Sequence, residues 1–267
     1  MKTIVDQAGR TINIPDSPQK IISIVPSQTE LLYDLGLEDE VIGITKFCVH
    51  PKEWFRNKTR VGGTKQLNLD LIRSLQPDLI IANKEENEQG QVEVLALEFP
   101  VWISDIKSLR DAKQMILSVG EMTNRYFEAV SLLRNIDTAF DELHAFTAER
   151  KPLNAAYLIW REPMMAAGGN TFISSMLNAC GIKNVFGNLE RYPQVTDELL
   201  KAARPGIILL SSEPYPFKEK HLDEFRQRFP GTRIQLADGE MFSWYGSRLQ
   251  HAPAYFIKLL EQIESVN

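Results

Sequence analysis

The sequence predicts an α/β protein in which two lobes, each built on a parallel sheet, are joined by one long rigid helix. Three observations predict this fold class. Apolar residues recur at every third or fourth position from Thr123 to about Arg150, with no Gly or Pro until Pro152. Short apolar runs alternate with helical patterns on both sides of that stretch, as in parallel sheets covered by helices. The pattern before the stretch is also similar to the pattern after it.

The central stretch has one apolar stripe and would span roughly 40 Å as a helix. Thr123 can serve as its N-cap, and Asn124 is an alternative. The residues expected on the stripe are Phe127, Val130, Leu133, Ile136, Phe140, Leu143 and Phe146. The stretch would also fit a long surface helix of one larger domain, and by itself it favours neither arrangement.

The residues before the central helix predict a hairpin followed by strand–helix pairs. Residues 2–6 and 11–14 flank a turn that contains Gly9. Ser27 and Glu30 fit a capping box at the start of the first helix. Strands are expected at 20–25, 40–45, 78–83 and 100–104, and helices at 26–36, 69–77 and 107–120.

The same alternation continues after the central helix. Strands are expected at 155–160, 206–212 and 233–238, and helices at 171–181, 196–205, 218–229 and 252–265. We therefore expect three parts: an N-terminal lobe at 1–106, connecting helices at 107–151 and a C-terminal lobe at 152–267. No low-complexity linker separates the lobes, which indicates a stiff connection.

A weak internal repeat supports the two-lobe interpretation. Asp70 lies seven residues before Pro77, and Glu198 lies seven residues before Pro205; an apolar strand follows each proline. A carboxylate in the first turn of a helix complements the helix dipole, which would explain each residue singly. A matched pair, with one carboxylate in each lobe, is harder to explain in that way.

Composition excludes several classes of protein. The 267 residues are 43 % hydrophobic and carry a net charge of −5 without long Lys/Arg clusters, which favours packed cores and argues against nucleic-acid binding. No apolar run reaches the ~18 residues needed to cross a bilayer, so we expect no membrane insertion. Residues 1–15 lack a signal-peptide pattern, which predicts a cytoplasmic protein, or a periplasmic or lipid-anchored one if a leader was removed. Cys48 and Cys180 are expected to be free thiols.

Several motifs resemble one family across nearly the whole chain. The run KIISIVPSQTELLYDLG at 20–36, then EVIGIT, Pro51, VGGT and NLDLIRSLQPDLIIA, followed by a long helix, resembles the class III substrate-binding proteins of ABC importers. These helical-backbone metal receptors bind cobalamin, haem or ferric siderophores. The resemblance is strongest at 20–83 and 192–212. FCVHP, KEEN, WREPM, GGNT, SEPYPF and SWYGSR are similar to a leaderless subgroup of this family.

The resemblance implies a binding protein and not an enzyme. It implies a monomer with no cofactor of its own, which holds a metal chelate (a corrinoid, haem or ferric siderophore) in a cleft between two lobes. It also implies docking on an ABC permease dimer through one acidic residue on each lobe, at Asp70 and Glu198 here. Asp70 departs from the glutamate that the family usually has. Tyr192 matches a ligand-contacting tryptophan, and the loops at 47–51 and 83–89 replace aromatic loops, so the pocket is not simply a cobalamin pocket.

The residue types in the predicted loops agree with such a ligand. In parallel α/β lobes, ligands bind beyond the carboxyl ends of the strands. Aromatic walls with a few fixed charges suit a planar or bulky ligand with polar edges. The residues predicted to bind the ligand are Phe47, Cys48, His50, Lys84, Glu85, Glu86, Asn87, Trp160, Arg161, Glu162, Tyr192, Glu213, Trp244, Tyr245 and Arg248.

Each group of these residues also has a simpler explanation. Cys48 and His50 suit zinc, copper or an axial metal position, but C-x-H alone lacks two ligands of a zinc site, and His50 is more often a plain loop residue. Glu85 and Glu86 could bind a hard cation, pair with an arginine, or sit at an exposed helix start.

The arginines and the late aromatic residues are similarly ambiguous. Arg161 and Arg248 could clamp a carboxylate or phosphate, or form surface salt bridges. Trp244 and Tyr245 could line the cleft or belong to the core; their position between Gly239 and Gly246 favours the cleft.

Three functions remain open at this point. The first is metal-chelate binding for ABC import. The second is a cytosolic metal-complex binder or sensor that never meets a permease. The third is an enzyme that acts on a small anionic substrate through Cys48 or Glu85 and Glu86. We rank the enzyme last because the chain has no Walker A, G-x-S-x-G, H-E-x-x-H or C-x-x-C motif. GGNT at 168–171 could start an anion-binding helix with Asn170 or Thr171 as cap, but it is too short to indicate a nucleotide.

Overall fold

The computed structural model describes residues 1–265 and confirms the α/β class. The chain divides into two compact units. The first unit comprises Met1–Ile106, Arg110–Arg134 and Tyr245–Arg248, and the second comprises Lys107–Leu109, Asn135–Trp244 and the residues from Leu249 onward.

The first unit contains a hairpin and a parallel sheet. Its strands are β1 (Lys2–Val5), β2 (Thr11–Ile14), β3 (Ile21–Ser23), β4 (Val41–Ile44), β5 (Thr59–Arg60), β6 (Leu79–Asn83) and β7 (Val101–Ser104). Strands β1 and β2 form the hairpin, and the remaining strands pair in the parallel order β5-β4-β3-β6-β7. The first five helices are α1 (Pro26–Asp34), α2 (Lys52–Asn57), α3 (Leu69–Leu75), α4 (Gln89–Ala96) and α5 (Leu109–Met122). Apolar side chains of β3 and β6, including Ile22 and Ile80, form the core with Ile24, which follows β3, and with helices α3 and α4.

The second unit repeats the parallel arrangement. Its strands are β8 (Leu153–Arg161), β9 (Met164–Ala166), β10 (Ile182–Asn184), β11 (Ile207–Ser211) and β12 (Arg233–Ala237). The parallel order is β10-β8-β11-β12, and β9 pairs antiparallel with β8. The later helices are α6 (Tyr126–Thr147), α7 (Phe172–Ala179), α8 (Asp197–Ala203), α9 (Glu219–Arg228), α10 (Gly239–Ser243) and α11 (Ala252–Ser265), with a 3-10 turn at Ser247–Gln250.

Helix α6 is the predicted central helix, although it is shorter than expected. It has 22 residues, and the boundary between the two units falls after Arg134, within the helix. Ile136, Phe140 and Leu143 are buried as the stripe predicts, but Phe127 is 83 % exposed. Phe127 therefore lies outside the buried stripe, although Ala129 in the same turn is buried.

Two predicted caps are wrong. Thr123 directly follows α5, where its hydroxyl donates to the Val119 carbonyl at 2.7 Å, and Asn124 has a left-handed φ of 58°. Helix α1 begins at Pro26 with no side-chain cap, so Ser27 and Glu30 do not form a capping box. Proline is already suited to the first helical turn because its missing N–H would have no helical partner there.

The internal repeat extends to the geometry of α3 and α8. Each helix has seven residues, and each begins with a side-chain cap: Asn68 accepts from the Leu71 N–H, and Thr196 accepts from the Leu199 N–H. Each ends on a left-handed residue, Gln76 in the first unit and Arg204 in the second. The two sequence segments therefore adopt the same local structure.

The matching carboxylates lie at the same position of these helices. Asp70 and Glu198 are each the second residue of the helix, and both side chains are exposed. Asp70 forms a 3.1 Å ion pair with Arg73. Hydrogen bonds from its own backbone N–H and from Thr196 hold the pKa of the Glu198 carboxyl below its usual value.

Candidate functional site

The loop after β4 presents an aromatic surface and a buried thiol. Phe47 is 51 % exposed, and the Lys46 ammonium lies 5.2 Å from the centre of its ring. Cys48 is fully buried; its Sγ lies 3.1 Å from the hydroxyls of both Thr29 and Thr45. Burial raises the pKa of the Cys48 thiol, so a reactive thiolate is disfavoured. The structure thus gives Cys48 a packing role in place of the predicted ligand contact.

His50, in the same loop, is half-buried. Within residues 1–265, no group of three or more His, Cys, Asp or Glu side chains could hold a metal ion. His50 therefore lacks the companions that a metal site built by the protein alone requires.

Two buried asparagines hold the loop after β6 in place. The Asn87 side chain accepts from the Asn83 N–H at 2.8 Å and donates to the carbonyls of Ile24, at 2.9 Å, and Thr64, at 3.2 Å. The Asn83 side chain accepts from the N–H groups of Glu85 and Glu86 at 2.8 and 3.0 Å. Asn87 is only 5 % exposed and uses both its amide oxygen and nitrogen, so it positions the loop and does not face a ligand.

The charged residues of this loop differ in their surroundings. Lys84 pairs with Asp105 at 2.7 Å, and Glu85 is half-buried. Glu86 is exposed, yet neighbouring protein desolvates its carboxyl and raises its pKa; Lys65 opposes this shift and Glu85 adds to it. Glu86 is therefore an exposed residue whose carboxyl is partly desolvated by the surrounding protein.

The segment Tyr245–Arg248 packs against α1. Arg248 makes a bidentate ion pair with Glu30, at 2.9 and 2.6 Å. A Cβ atom at Gly246 would lie 2.3 Å from the Ser27 carbonyl oxygen, which explains the need for glycine at this close approach. Arg248 does form the predicted clamp, but it binds a carboxylate of the protein itself.

Trp244 and Tyr245 are 7 % and 6 % exposed. The structure therefore favours the alternative that we kept open, in which they are core aromatics. The Trp244 indole N–H donates to Glu213 Oε1 at 3.0 Å, and the Ser243 hydroxyl donates to the same oxygen at 2.6 Å. Glu213 is half-buried, and one oxygen of its carboxylate is thus engaged in hydrogen bonds with the end of α10.

In the second unit, an exposed aromatic surface lies at the end of β8. Trp160 is 38 % exposed and packs edge-on against Tyr215, with ring centres 5.7 Å apart. Tyr215 in turn contacts Phe217 at 4.7 Å. The Trp160 indole N–H donates to the Glu162 carbonyl at 3.1 Å, which fixes the ring orientation.

A series of ion pairs runs from this loop to α8. Arg161 pairs with Glu224 at 3.0 Å, and Glu224 pairs with Arg228 at 3.2 Å. Arg228 then forms two hydrogen bonds with Asp197, the residue that precedes Glu198. We call this series the α9 ion-pair chain. Glu162 is 80 % exposed and lies 3.7 Å from Arg161.

The GGNT motif has a structural explanation. Cβ atoms at Gly168 and Gly169 would lie 2.4 and 2.3 Å from backbone carbonyl oxygens of Leu189 and Gly187. Their N–H groups donate to carbonyls of the 189–191 segment, so neither is available to an anion. Thr171 is the cap, as one of our two alternatives predicted, and it accepts from the Ser174 N–H at 3.2 Å. Tyr192, which follows this segment, is half-buried.

A cavity of about 960 Å³ lies elsewhere in the second unit. Its lining includes Leu153, Gly206 and Arg233, which are at the amino ends of parallel strands. Two of its cations, Arg150 and Arg226, are paired with Glu264 and Asp223. Ligands of parallel α/β units bind at the opposite, carboxyl ends, so we keep the loops described above as the candidate site.

Sequence reasoning missed the residues that support these loops. Asn83, Lys65, Glu30 and Glu224 were not among the candidates, although each holds a predicted residue in place. Asn83 ends an apolar strand, and a polar residue at that position could have indicated a role in holding the loop that follows. The others are distant in sequence from their partners, and nothing local indicates the pairing.

Comparison with known proteins identifies the relatives of this chain. A family model described as "Periplasmic binding protein" matches residues 21–233. An uncharacterised ABC transporter substrate-binding lipoprotein, YvrC of Bacillus subtilis, is 26 % identical over 215 residues, which cover 78 % of this chain and 68 % of the relative. A vitamin B12-binding protein of Photorhabdus laumondii is 29 % identical over 197 residues, 73 % of this chain and 71 % of the relative.

Solved structures show the same fold. The periplasmic vitamin B12 binding protein BtuF of Vibrio cholerae matches with a TM-score of 0.80 at 20 % identity and covers 94 % of this chain and 99 % of its own. The periplasmic heme-binding protein RhuT from Roseiflexus sp. RS-1 gives 0.76 at 21 % identity, with 90 % and 98 % covered. Across residues 1–265, none of the helices is long and apolar enough to cross a membrane.

Proposed function

Because the chain belongs to the periplasmic binding protein family, we propose that it binds a metal chelate without catalysis, as the substrate-binding component of an ABC importer. The chelate would be a corrinoid, haem or a ferric siderophore. The observation that carries the proposal is the family match together with relatives whose names state vitamin B12 or heme binding. Relatives are also named as periplasmic or as lipoproteins, and we extend that placement to this chain.

Each unit has exposed residues in its candidate loops that suit contact with such a ligand. In the first unit, Phe47 offers an aromatic face and Glu86 a carboxyl. In the second unit, Trp160 offers an aromatic face beside the exposed Glu162. Aromatic faces supply contact area, and a few polar groups supply orientation, which is the usual composition of a small-molecule site.

We propose that Asp70 and Glu198 dock on the permease. Their support is the matched geometry of α3 and α8, which places one exposed carboxylate at the second residue of each helix. Asp70→Lys and Glu198→Lys should each reduce uptake in cells that depend on this chain, while ligand affinity in solution stays unchanged. A parallel loss of ligand affinity would contradict a separate docking role.

Spectral titration of the purified protein tests ligand binding. We expect one compound from a set of cyanocobalamin, haemin and ferric siderophores to form a saturable 1:1 complex. Trp160→Ala should weaken that complex about 10-fold because an aromatic contact is lost. Phe127→Ala removes an aromatic side chain that is 83 % exposed on α6 and serves as the matched control. Absence of binding across the whole set would refute the proposal.

A further inference from the structure

Glu86 differs from the other charged residues of the first unit's candidate loops, because the nearby lysines already bind oxygen atoms of the protein. Lys65 donates to the carbonyls of Glu85, at 2.5 Å, and Asn87, at 3.2 Å. Lys84 is paired with Asp105. The Lys65 and Lys84 ammonium groups therefore already have protein oxygens as partners.

The arginine predicted to clamp an anion in this unit is engaged as well. Arg248 binds both carboxylate oxygens of Glu30, and the two side chains are only 13 % and 18 % exposed. Releasing Arg248 to a ligand would leave the largely buried Glu30 carboxylate without its bidentate partner, which is costly. Lys46 is exposed, but it lies over the Phe47 ring.

Glu86 is in contrast an exposed residue on a rigid support. Its backbone N–H is bound by the Asn83 side chain at 3.0 Å, and Asn87 fixes Asn83 in turn through buried hydrogen bonds. A group that is held in place before the ligand arrives loses little entropy on binding. Incomplete hydration also means that a donor on the ligand displaces less water when it reaches the carboxyl.

We propose that Glu86 is a specificity-determining residue that selects chelates whose edge carries hydrogen-bond donors or positive charge. Chelates edged with carboxylates or other anions are disfavoured, because they meet this carboxyl without a free arginine to offset it. The inference rests on the proposed function, since it assigns the chemical class of the chelate bound there. It predicts that, of the titration set, an amide-edged corrinoid or a cationic hydroxamate chelate binds in preference to haemin or a ferric tris-catecholate.

Two substitutions test the inference: one removes a negative charge and the other removes a positive charge. The probes are cyanocobalamin, ferric ferrioxamine B, haemin and a ferric tris-catecholate, each titrated by absorbance or fluorescence. Glu86→Gln should weaken the affinity for the preferred chelate about 10-fold, because a charged hydrogen bond becomes a neutral one. Lys46→Gln should cause no such loss. Glu142→Gln, on the exposed face of α6, removes the same charge elsewhere and should leave affinity unchanged.

The outcomes separate the inference from the function on which it rests. If an anionic chelate binds best, or if Lys46→Gln weakens binding and Glu86→Gln does not, the inference is wrong while chelate binding stands. If none of the chelates binds, the proposed function fails and the inference fails with it. Because Glu86 is exposed and glutamine has nearly the same shape, thermal unfolding of Glu86→Gln should show that the variant is folded.

Discussion

The loops after β6 and β8 are both held in place, but by different chemistry. In the first unit, neutral amides of Asn83 and Asn87 hold the loop through buried hydrogen bonds. In the second unit, the α9 ion-pair chain holds Arg161 through partly exposed charges. Buried neutral networks do not depend on salt, whereas exposed ion pairs weaken as salt screens them. The two units should therefore respond differently to mutation, salt and pH.

The largest effect is expected from Asn87→Ala. The substitution leaves the Asn83 N–H and the carbonyls of Ile24 and Thr64 without their side-chain partner in a buried position. We expect a loss of about 3 kcal/mol in the free energy of unfolding, by the cost of buried unsatisfied groups, and the same loss at low and high salt. Urea denaturation at two NaCl concentrations measures both quantities.

Asn135→Ala is the matched control for that variant, because Asn135 lies on the exposed face of α6. It should change stability by less than about 0.5 kcal/mol. A comparable loss in both variants would contradict the special role of Asn87.

An intermediate effect is expected from Arg228→Met. Arg228 joins Asp197 to Glu224, and its guanidinium lies over the rings of Phe225 and Phe229. We expect a loss of about 1 kcal/mol at low salt, and a smaller loss in 1 M NaCl, where the ion pairs contribute less. Denaturant unfolding at both salt concentrations checks this.

Arg226→Met provides the comparison on the same helix. Its pair with Asp223 is 57 % and 74 % exposed, so we expect almost no change in stability. If Arg228→Met were insensitive to salt, stacking on the aromatic rings would explain its effect better than the ion pairs do.

The smallest effect concerns the pH dependence of Glu86. Desolvation raises the pKa of its carboxyl from the ordinary 4.5, so folding penalises the ionised form. Above the raised pKa the penalty is fully present. It decreases as pH falls through the raised pKa and is lost below 4.5, where both folded and unfolded states bind the proton. Glu86→Gln should therefore stabilise the ligand-free protein at pH 8 and lose this advantage at pH 4. Thermal unfolding against pH, with Glu142→Gln as control, would reject the account if the difference did not vary with pH.

Much of the fold could be predicted because its elements have strong local patterns. The last helix was expected at 252–265 and is observed at Ala252–Ser265. Short elements were missed: β10 has three residues, and α4 contains Gly90 and is capped by Glu88, which is not a common cap. Elements of this kind are fixed by tertiary packing more than by their own sequence.

The rule for parallel strands selected the loops that we take as the candidate site, and that choice stays a prediction. It could not show that Cys48 is buried, or that Arg248 binds Glu30, 218 residues away. Burial and long-range pairing depend on how the elements pack, which no single stretch of sequence contains.

Native mass spectrometry of the protein, purified and then incubated with the chelate set, tests the central claim most directly. The account predicts a single adduct whose mass equals one intact chelate, the metal together with its organic ligand. A mass increase from a bare metal ion, or no adduct with any of the chelates, would contradict it.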